Sequence, residues 1–307
     1  MAVAGKGKVL CVIPTLNGGS ELLKLLSVVK KNKLLDLLVL DSCSSDNTRD
    51  GLEKKSDFFE TVNADFFDHG GTRQFAVDKY SEYGFFVFLT QDVELDSPCA
   101  IDNLISEFKC SSIGAAYGRQ LPKKNSTPFA AFLRCFNYPS NSRVQSLQLA
   151  PLMGLKTAFI SNAFAIYRKE ALRDAGGFPK ETILGEDIYV AARMLEKGWA
   201  ISYVATACCY HSHNYSIIQE CKRYFDIGVF HSRESWILER FGGVNREGTK
   251  FVCAELKYLG WRRSYLWPLS LVRNAGKFLF YKLGRMEKRI PLWLKLKISM
   301  NRRFWLR

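Results

Sequence analysis

A few acidic residues, two histidines and one arginine sit where the chain could use them for chemistry. Asp92 follows Thr90 and Gln91 at the end of the apolar run 84–89. A carboxylate at the lip of a buried strand can help hold a divalent cation, which takes oxygen donors and keeps positions for phosphate oxygens and water. His211 and His213 are two residues apart and point the same way from an extended segment, so their imidazoles can complete such a site. Glu186 and Asp187 open a helical pattern, where a rigidly held carboxylate can act as general base toward an attacking hydroxyl. Asp41 ends another apolar run and can accept a hydrogen bond from a pyrimidine N3 donor, while Ser45 and Asp46 either reach a ribose or close the turn. In His69-Gly-Gly-Thr-Arg-Gln74, backbone amides and the Arg73 guanidinium suit phosphate oxygens. Each position alone has a blander reading as a turn aspartate, a dipole-favoured acid or an ordinary histidine.

Position depends on the elements that carry these residues. Apolar runs at 9–13 and 34–40 flank a helical pattern that begins after Ser20, which predicts a parallel βαβ unit. A short strand near 60–62, a helix over 72–83 and the strand 84–89 follow, with further strands expected at 113–118, 159–167 and 200–204. Residues 186–198 read as a helix stopped by Gly198, and 121–152 as loop plus helix. The expected fold is α/β: an open, Rossmann-like, mostly parallel twisted sheet with helices on both faces, followed by C-terminal amphipathic helices. Ligands of such sheets bind beyond the carboxyl ends of the strands, which puts Thr15, Asp41 and Asp92 on one rim. Neither a P-loop nor a dinucleotide fingerprint is present.

Charge is unevenly spread. Residues 260–307 hold 13 Lys/Arg against one acid, Glu287, whereas the preceding residues hold 31 against 29. Four of the six Trp lie in this tail, interleaved with Leu and Ile, and Pro268 and Pro291 break it into pieces too short and too charged to span a bilayer. Such pieces suit an anionic membrane surface better than nucleic acid, and packing against the rest of the chain can coexist with that. Three regions are expected: 1–215, which carries the candidate site, 216–259 as a helical region with Arg223, Asp226 and Trp236 unassigned, and 260–307 as the basic membrane-associating tail. Nine scattered cysteines without a Cys-x-x-Cys pair suit a reduced, cytosolic compartment.

The order Val12-Ile-Pro-Thr-Leu-Asn17, Leu40-Asp-Ser-Cys-Ser-Ser-Asp-Asn-Thr48, Gly71-Thr-Arg-Gln74, Thr90-Gln-Asp92, Gly176-Gly-Phe178 and Glu186-Asp187 resembles family-two inverting glycosyltransferases of the GT-A fold, over roughly residues 8–215. Phe67 to Arg73 followed by Phe88 to Asp92 is similar to bacterial dTDP-L-rhamnose-dependent rhamnosyltransferases of O-antigen and polysaccharide assembly. The resemblance implies Asp187 as catalytic base. It implies Pro14, Thr15, Asn17, Asp41, Ser45, Asp46, Arg73, Thr90, Gln91 and Glu186 as substrate contacts, with Asp41 at the nucleotide base. It also implies Asp92, with His211 and His213, as ligands of Mg2+ or Mn2+. The acceptor it implies is a saccharide linked to undecaprenyl diphosphate at the inner face of the cytoplasmic membrane. Thr90 departs from the family's Asp-x-Asp, leaving one carboxylate there. The rivals are a transferase of another UDP- or dTDP-sugar, a sugar nucleotidyltransferase, which would want a basic residue in Pro14-Thr-Leu-Asn-Gly-Gly19, and a non-catalytic sugar-binding protein.

Overall fold

The computed structural model describes residues 7–46, 52, 55–63, 68–242 and 245–307, with the side chains of 245–247 excepted. The helix expected after Asp41, the turn residues Asn47 and Thr48, and Phe67 fall wholly or largely outside the described residues.

The strands are β1 (Val9–Thr15), β2 (Leu35–Asp41), β3 (Phe58–Thr61), β4 (Phe85–Leu89), β5 (Glu94–Leu95), β6 (Ile113–Leu121), β7 (Arg143–Gln145), β8 (Phe164–Arg168) and β9 (Ala200–Tyr210). They form one sheet in the order β3-β2-β1-β4-β8-β6-β9-β5, with β7 added against β9. The first four pair in parallel and so do β6 and β9, as the apolar runs suggest. The helices are α1 (Gly19–Val29), α2 (His69–Lys79), α3 (Ala100–Ser106), α4 (Pro128–Asn137), α5 (Ala150–Met153), α6 (Lys169–Asp174), α7 (Glu186–Glu196), α8 (Ile217–Arg233), α9 (Ser235–Phe241), α10 (Asn245–Leu259), α11 (Trp267–Arg285) and α12 (Leu292–Ile298).

Strand alternation sorts the core into two. Leu10, Val12, Leu38, Leu40, Phe86 and Phe88 face the layer that contains α2 and α7. Val9, Cys11, Ile13, Leu37, Val39 and Val87 face α1 and α3. Both faces of the sheet are therefore dry, which is why the strands read as unbroken apolar runs.

Three strands run against the rest: the short β5 and β7, both paired with β9, and β8 in the middle of the sheet. β8 lies antiparallel between β4 and β6 and begins at Phe164, later than the 159–167 expectation. Ahead of it, residues 159–163 run along the rim, where the Thr90 amide donates to the Ala163 carbonyl at 3.3 Å. The chain enters β8 from the ligand end of the sheet, so it can only descend.

The C-terminal residues are not a detached arm. α8 and α11 approach until Gly228 and Gly284 are backbone to backbone: a Cβ on Gly284 would lie 2.1 Å from the Phe225 carbonyl oxygen. Buried Asp226 on α8 accepts from the Ser299 hydroxyl at 2.6 Å and from the Met300 and Asn301 amides at 3.0 and 3.1 Å, pinning the chain end. All nine cysteines are free.

Candidate active site

β4 stops at Leu89 and the next turn lifts Asp92 to the rim, while β9 ends at Tyr210 and delivers His211 and His213 beside it. The His211 Nε2 lies 3.2 Å and the His213 Nε2 3.6 Å from Asp92 Oδ2, and one ligand atom from each residue fits within 4.8 Å of the others. Behind His211, the Gln120 Oε1 faces Nδ1 at 2.9 Å and also accepts from Arg134, while the Gln120 amide nitrogen donates to Ser161 at 2.9 Å. With its oxygen committed as acceptor, Gln120 requires the proton on Nδ1 and turns the Nε2 lone pair toward Asp92. A lone pair facing a carboxylate is repulsive unless a cation sits between them, so this donor set fits a divalent metal. With no cation between them, a proton on His211 Nε2 can take its place: burial alone would raise the Asp92 carboxyl, but the hydrogen bond and charge of His211 so protonated, with Thr90 and His213 adding to them, hold it well below the usual range. Burial and the neighbouring His211 push His213 down to about 4, so its ring is neutral and able to ligate near pH 7.

The second group lies at the start of α7. Glu186 is buried, with Oε1 3.2 Å from the Arg73 guanidinium and 3.0 Å from the Asn162 side-chain nitrogen. Burial opposes its charge, but Arg73 and then His69 override that and hold its carboxyl low. Asp187 has the opposite fate: burial, and then the fixed charge of Glu186, push it up to about 7 against the Ile188 and Asn162 amides that donate to it. Two adjacent carboxylates driven apart in this way divide the work, one charged and structural, the other able to exchange a proton near neutrality.

Residues 161–162 join the two groups. The Ser161 hydroxyl is held by Gln120, and the next residue donates its amide to Asp187 Oδ2 at 3.3 Å. Tyr167 in turn donates to the Asn162 side-chain oxygen at 2.7 Å. On the other side Thr15, paired with Asp41 in register, donates its hydroxyl to Gln91 Oε1 at 2.7 Å, next to Asp92. Contacts therefore run from Asp41 through Thr15, Gln91, Asp92, His211, Gln120, Ser161 and Asn162 to Asp187. Arg73 lies behind Glu186, with its NH1 also donating to the His69 carbonyl at 2.8 Å.

The remaining expected substrate contacts line the β1 and β2 ends of this rim. Pro14 and Thr15 end β1, and Gln91 also accepts from the Leu16 amide at 2.8 Å. Asn17, at φ 51°, accepts from the Ser45 amide at 2.9 Å and donates its own amide to the Ser44 hydroxyl at 2.8 Å. Asp41 is fully buried and accepts from the Ser44 amide at 3.1 Å, with Asp46 half-buried two residues on. Gln120, Arg134, Ser161, Asn162 and Tyr167 were not singled out from sequence. The one signal available was Ser161-Asn162, a polar pair set directly before an apolar strand. A cavity of about 570 Å3 lies elsewhere, among residues 147–154, α9 and Lys250, and none of the residues above lines it.

The family profile for glycosyl transferase family 2 matches residues 10–176, and that for glycosyl transferase family group 2 matches 98–294. The O-antigen chain rhamnosyltransferase RfbN of Salmonella typhimurium is 40% identical over 303 residues, 97% of this chain and 96% of its own. WbaN of Salmonella anatum, of the same description, is 39% identical over 274 residues, 89% of this chain and 87% of its own. S. aureus TarS, solved with UDP-GlcNAc, superposes with a TM-score of 0.54 at 16% identity, covering 92% of this chain and 91% of that one. The mannosyltransferase PcManGT of Pyrobaculum calidifontis, solved with GDP-Man and Mn2+, superposes at 0.57 and 13% identity, covering 99% and 86%. The two structures bear out the expected GT-A fold.

Proposed function

We propose that this chain, which belongs to glycosyl transferase family 2, is an inverting rhamnosyltransferase that moves L-rhamnose from dTDP-L-rhamnose to a lipid-linked saccharide in O-antigen assembly. One observation carries the reading: the run of contacts that joins Asp92, His211 and His213 to an Asp187 carboxyl raised toward neutrality. The identity to two O-antigen chain rhamnosyltransferases supports the sugar and the assembly.

In this reading Asp187 takes the proton from the acceptor hydroxyl as that oxygen attacks the sugar's anomeric carbon, on the face opposite the departing dTDP. Glu186, held ionised by Arg73, keeps Asp187 basic by its charge and anchors Asn162, whose amide aims the carboxylate. Asp92, His211 and His213 would hold Mg2+ or Mn2+, which offsets the charge developing on the leaving diphosphate. Asp41 takes the thymine N3–H, with Pro14, Thr15, Asn17, Ser45, Asp46, Thr90 and Gln91 shaping the nucleotide side of the rim. The acceptor, a saccharide on undecaprenyl diphosphate, is met at the cytoplasmic face of the membrane, where the protein is peripheral. No described helix is long and apolar enough to cross a bilayer.

The test is incubation of the purified chain with dTDP-L-rhamnose, Mn2+ and a lipid-linked O-antigen precursor, with release of dTDP followed alongside UDP- and GDP-sugars. Acceptor-dependent release from dTDP-L-rhamnose alone is expected. Turnover of another nucleotide sugar in its place would overturn the donor assignment.

A further inference from the structure

α11 is amphipathic in the wrong sense for a helix on the surface of a water-soluble domain. Its buried residues are Ser270, Arg273, Lys277 and Gly284, and its exposed face carries Leu271, Val272, Phe278 and Leu279 at 53, 59, 61 and 56% exposure. These recur at positions i, i+1, i+7 and i+8, one continuous stripe. Lys282, its ammonium over the Phe278 ring, is the one exposed charged residue of α11. Two further apolar rings are exposed on either side of α11 in sequence: Trp261 at 83%, its ring centre 5.1 Å from that of Trp267 at the helix start, and Trp293 at 60% on α12. Exposed cations bracket the stripe in sequence, Arg262 and Arg263 on one side, Lys288 and Arg289 on the other.

The polar residues on the inner face are engaged there, Lys277 over the Phe251 ring at 4.6 Å and the others through hydrogen bonds or ion pairs. Arg273 donates to the Tyr215 carbonyl at 3.2 Å, pairs with Glu220 at 2.9 Å and lies 4.5 Å over the Phe129 ring. Tyr215 stacks on His213, the outer histidine of the candidate metal site, with ring centres 5.2 Å apart. The Glu255 carboxylate accepts from Ser270 and from Asn274. An outward turn of the polar face would break all of these contacts, so the apolar stripe is held outward by the fold itself.

We propose that this inside-out face of α11, with Trp261 and Trp293 flanking it in sequence, is the surface by which the protein seats on an anionic lipid bilayer. Apolar side chains at the centre and cations with indoles on either side match the depth profile of an interface, with acyl chains in the middle and charged headgroups around them. A nucleic acid needs its cations at the centre of the contact. The proposal rests on the lipid-linked acceptor of the reading above and gives it a geometry. The Arg273 contact puts the Tyr215 segment on the opposite side of α11, so the metal site stands about one helix diameter, ~10 Å, above the lipid. An acceptor diphosphate at headgroup level is then within reach without leaving the bilayer.

The test is flotation of the full chain with vesicles of phosphatidylcholine alone, or with one-third phosphatidylglycerol, without any sugar donor. Wild type is expected to float with the anionic vesicles and to be released by high salt. Combined Leu271→Ser, Val272→Ser, Phe278→Ser and Leu279→Ser should weaken partitioning at least about a hundredfold while leaving the thermal melt in place, since these side chains face outward. As a second measurement on a folded protein, quenching of indole emission by brominated lipid should fall sharply in Trp261→Phe/Trp293→Phe. Undiminished flotation of the fourfold variant, unchanged quenching, or a wild-type dimer that the fourfold variant converts to monomer would overturn the proposal. A protein that floats but transfers no rhamnose would sink the donor reading alone. One that transfers rhamnose to a soluble acceptor yet does not float would sink this surface alone.

Discussion

At the scale of the residue, the site is governed by what stands behind each reacting group. In the proposed mechanism Asp187 must be ionised to accept a proton, and burial with the Glu186 charge raises it to about 7. The rate of the chemical step should therefore rise with pH, about tenfold per unit below 7, and level off above it. In Glu186→Gln the neighbouring charge is gone, so the midpoint should move to lower pH, and a pH profile of kcat reads both. A profile flat from pH 5 to 8 would remove Asp187 from the role. Asp187→Asn should keep dTDP affinity by calorimetry and lose about 10²–10⁴ in kcat. Gln120→Leu releases the His211 tautomer and should raise the Mn2+ concentration for half-maximal activity about 10–100-fold. Asp92, Asp187 and the histidines could be singled out as candidates from sequence because they recur together in an order that resembles a family pattern, although each alone had a structural reading. Gln120 and Asn162 were hidden, because an amide side chain betrays its partner only when the fold supplies one.

At the scale of the element, the parallel strands could be read from their apolar runs because both faces are buried. The direction of β8 could not: an apolar strand carries no arrow, and its antiparallel course follows from the rim segment 159–163 that precedes it. That same reversal brings Ser161 and Asn162 between the candidate metal ligands and Asp187. The contact of α8 with α11 was equally silent in sequence, since glycines read as breaks as readily as contacts. It yields a graded prediction. At Gly284 an added methyl would meet the Phe225 carbonyl and the Gly228 Cα at 2.1 and 2.9 Å, all backbone, whereas at Gly276 it would meet the Cys221 sulfur at 2.8 Å. Gly284→Ala should cost about 1–3 kcal/mol, and Gly276→Ala less because a side chain can turn away. Equal melting temperatures for the two variants would contradict so close a crossing.

At the scale of the whole molecule, the basic tail is a wall of the folded body as well as the proposed membrane surface. Its composition suggested that surface, since cations and Trp interleaved with Leu suit an interface at any orientation. The wall was not legible, because it depends on partners fifty or more residues away: Asp226 with Ser299, Met300 and Asn301, His231 with Tyr281, and Glu220 with Arg273. Burial pushes Asp226 up to about 6, while its four donors, all from residues 299–301, pull the other way. Without them the carboxylate would sit unpaired against the apolar flank of α8, where Phe225 and Val229 are fully buried. Removing 260–307 therefore does more than detach an anchor: it strips α8, the helix that continues from the metal-ligand segment. The truncated chain should unfold without a sharp transition or precipitate, and lose Mn2+-dependent dTDP binding even where no membrane is present. Removing only residues after 301 leaves the Asp226 donors in place and should preserve both properties. Calorimetric melts of the two truncations decide it. A chain ending at 259 that melts as sharply as the full protein, and still binds dTDP with Mn2+, would make the tail an appendage and not part of the catalytic body.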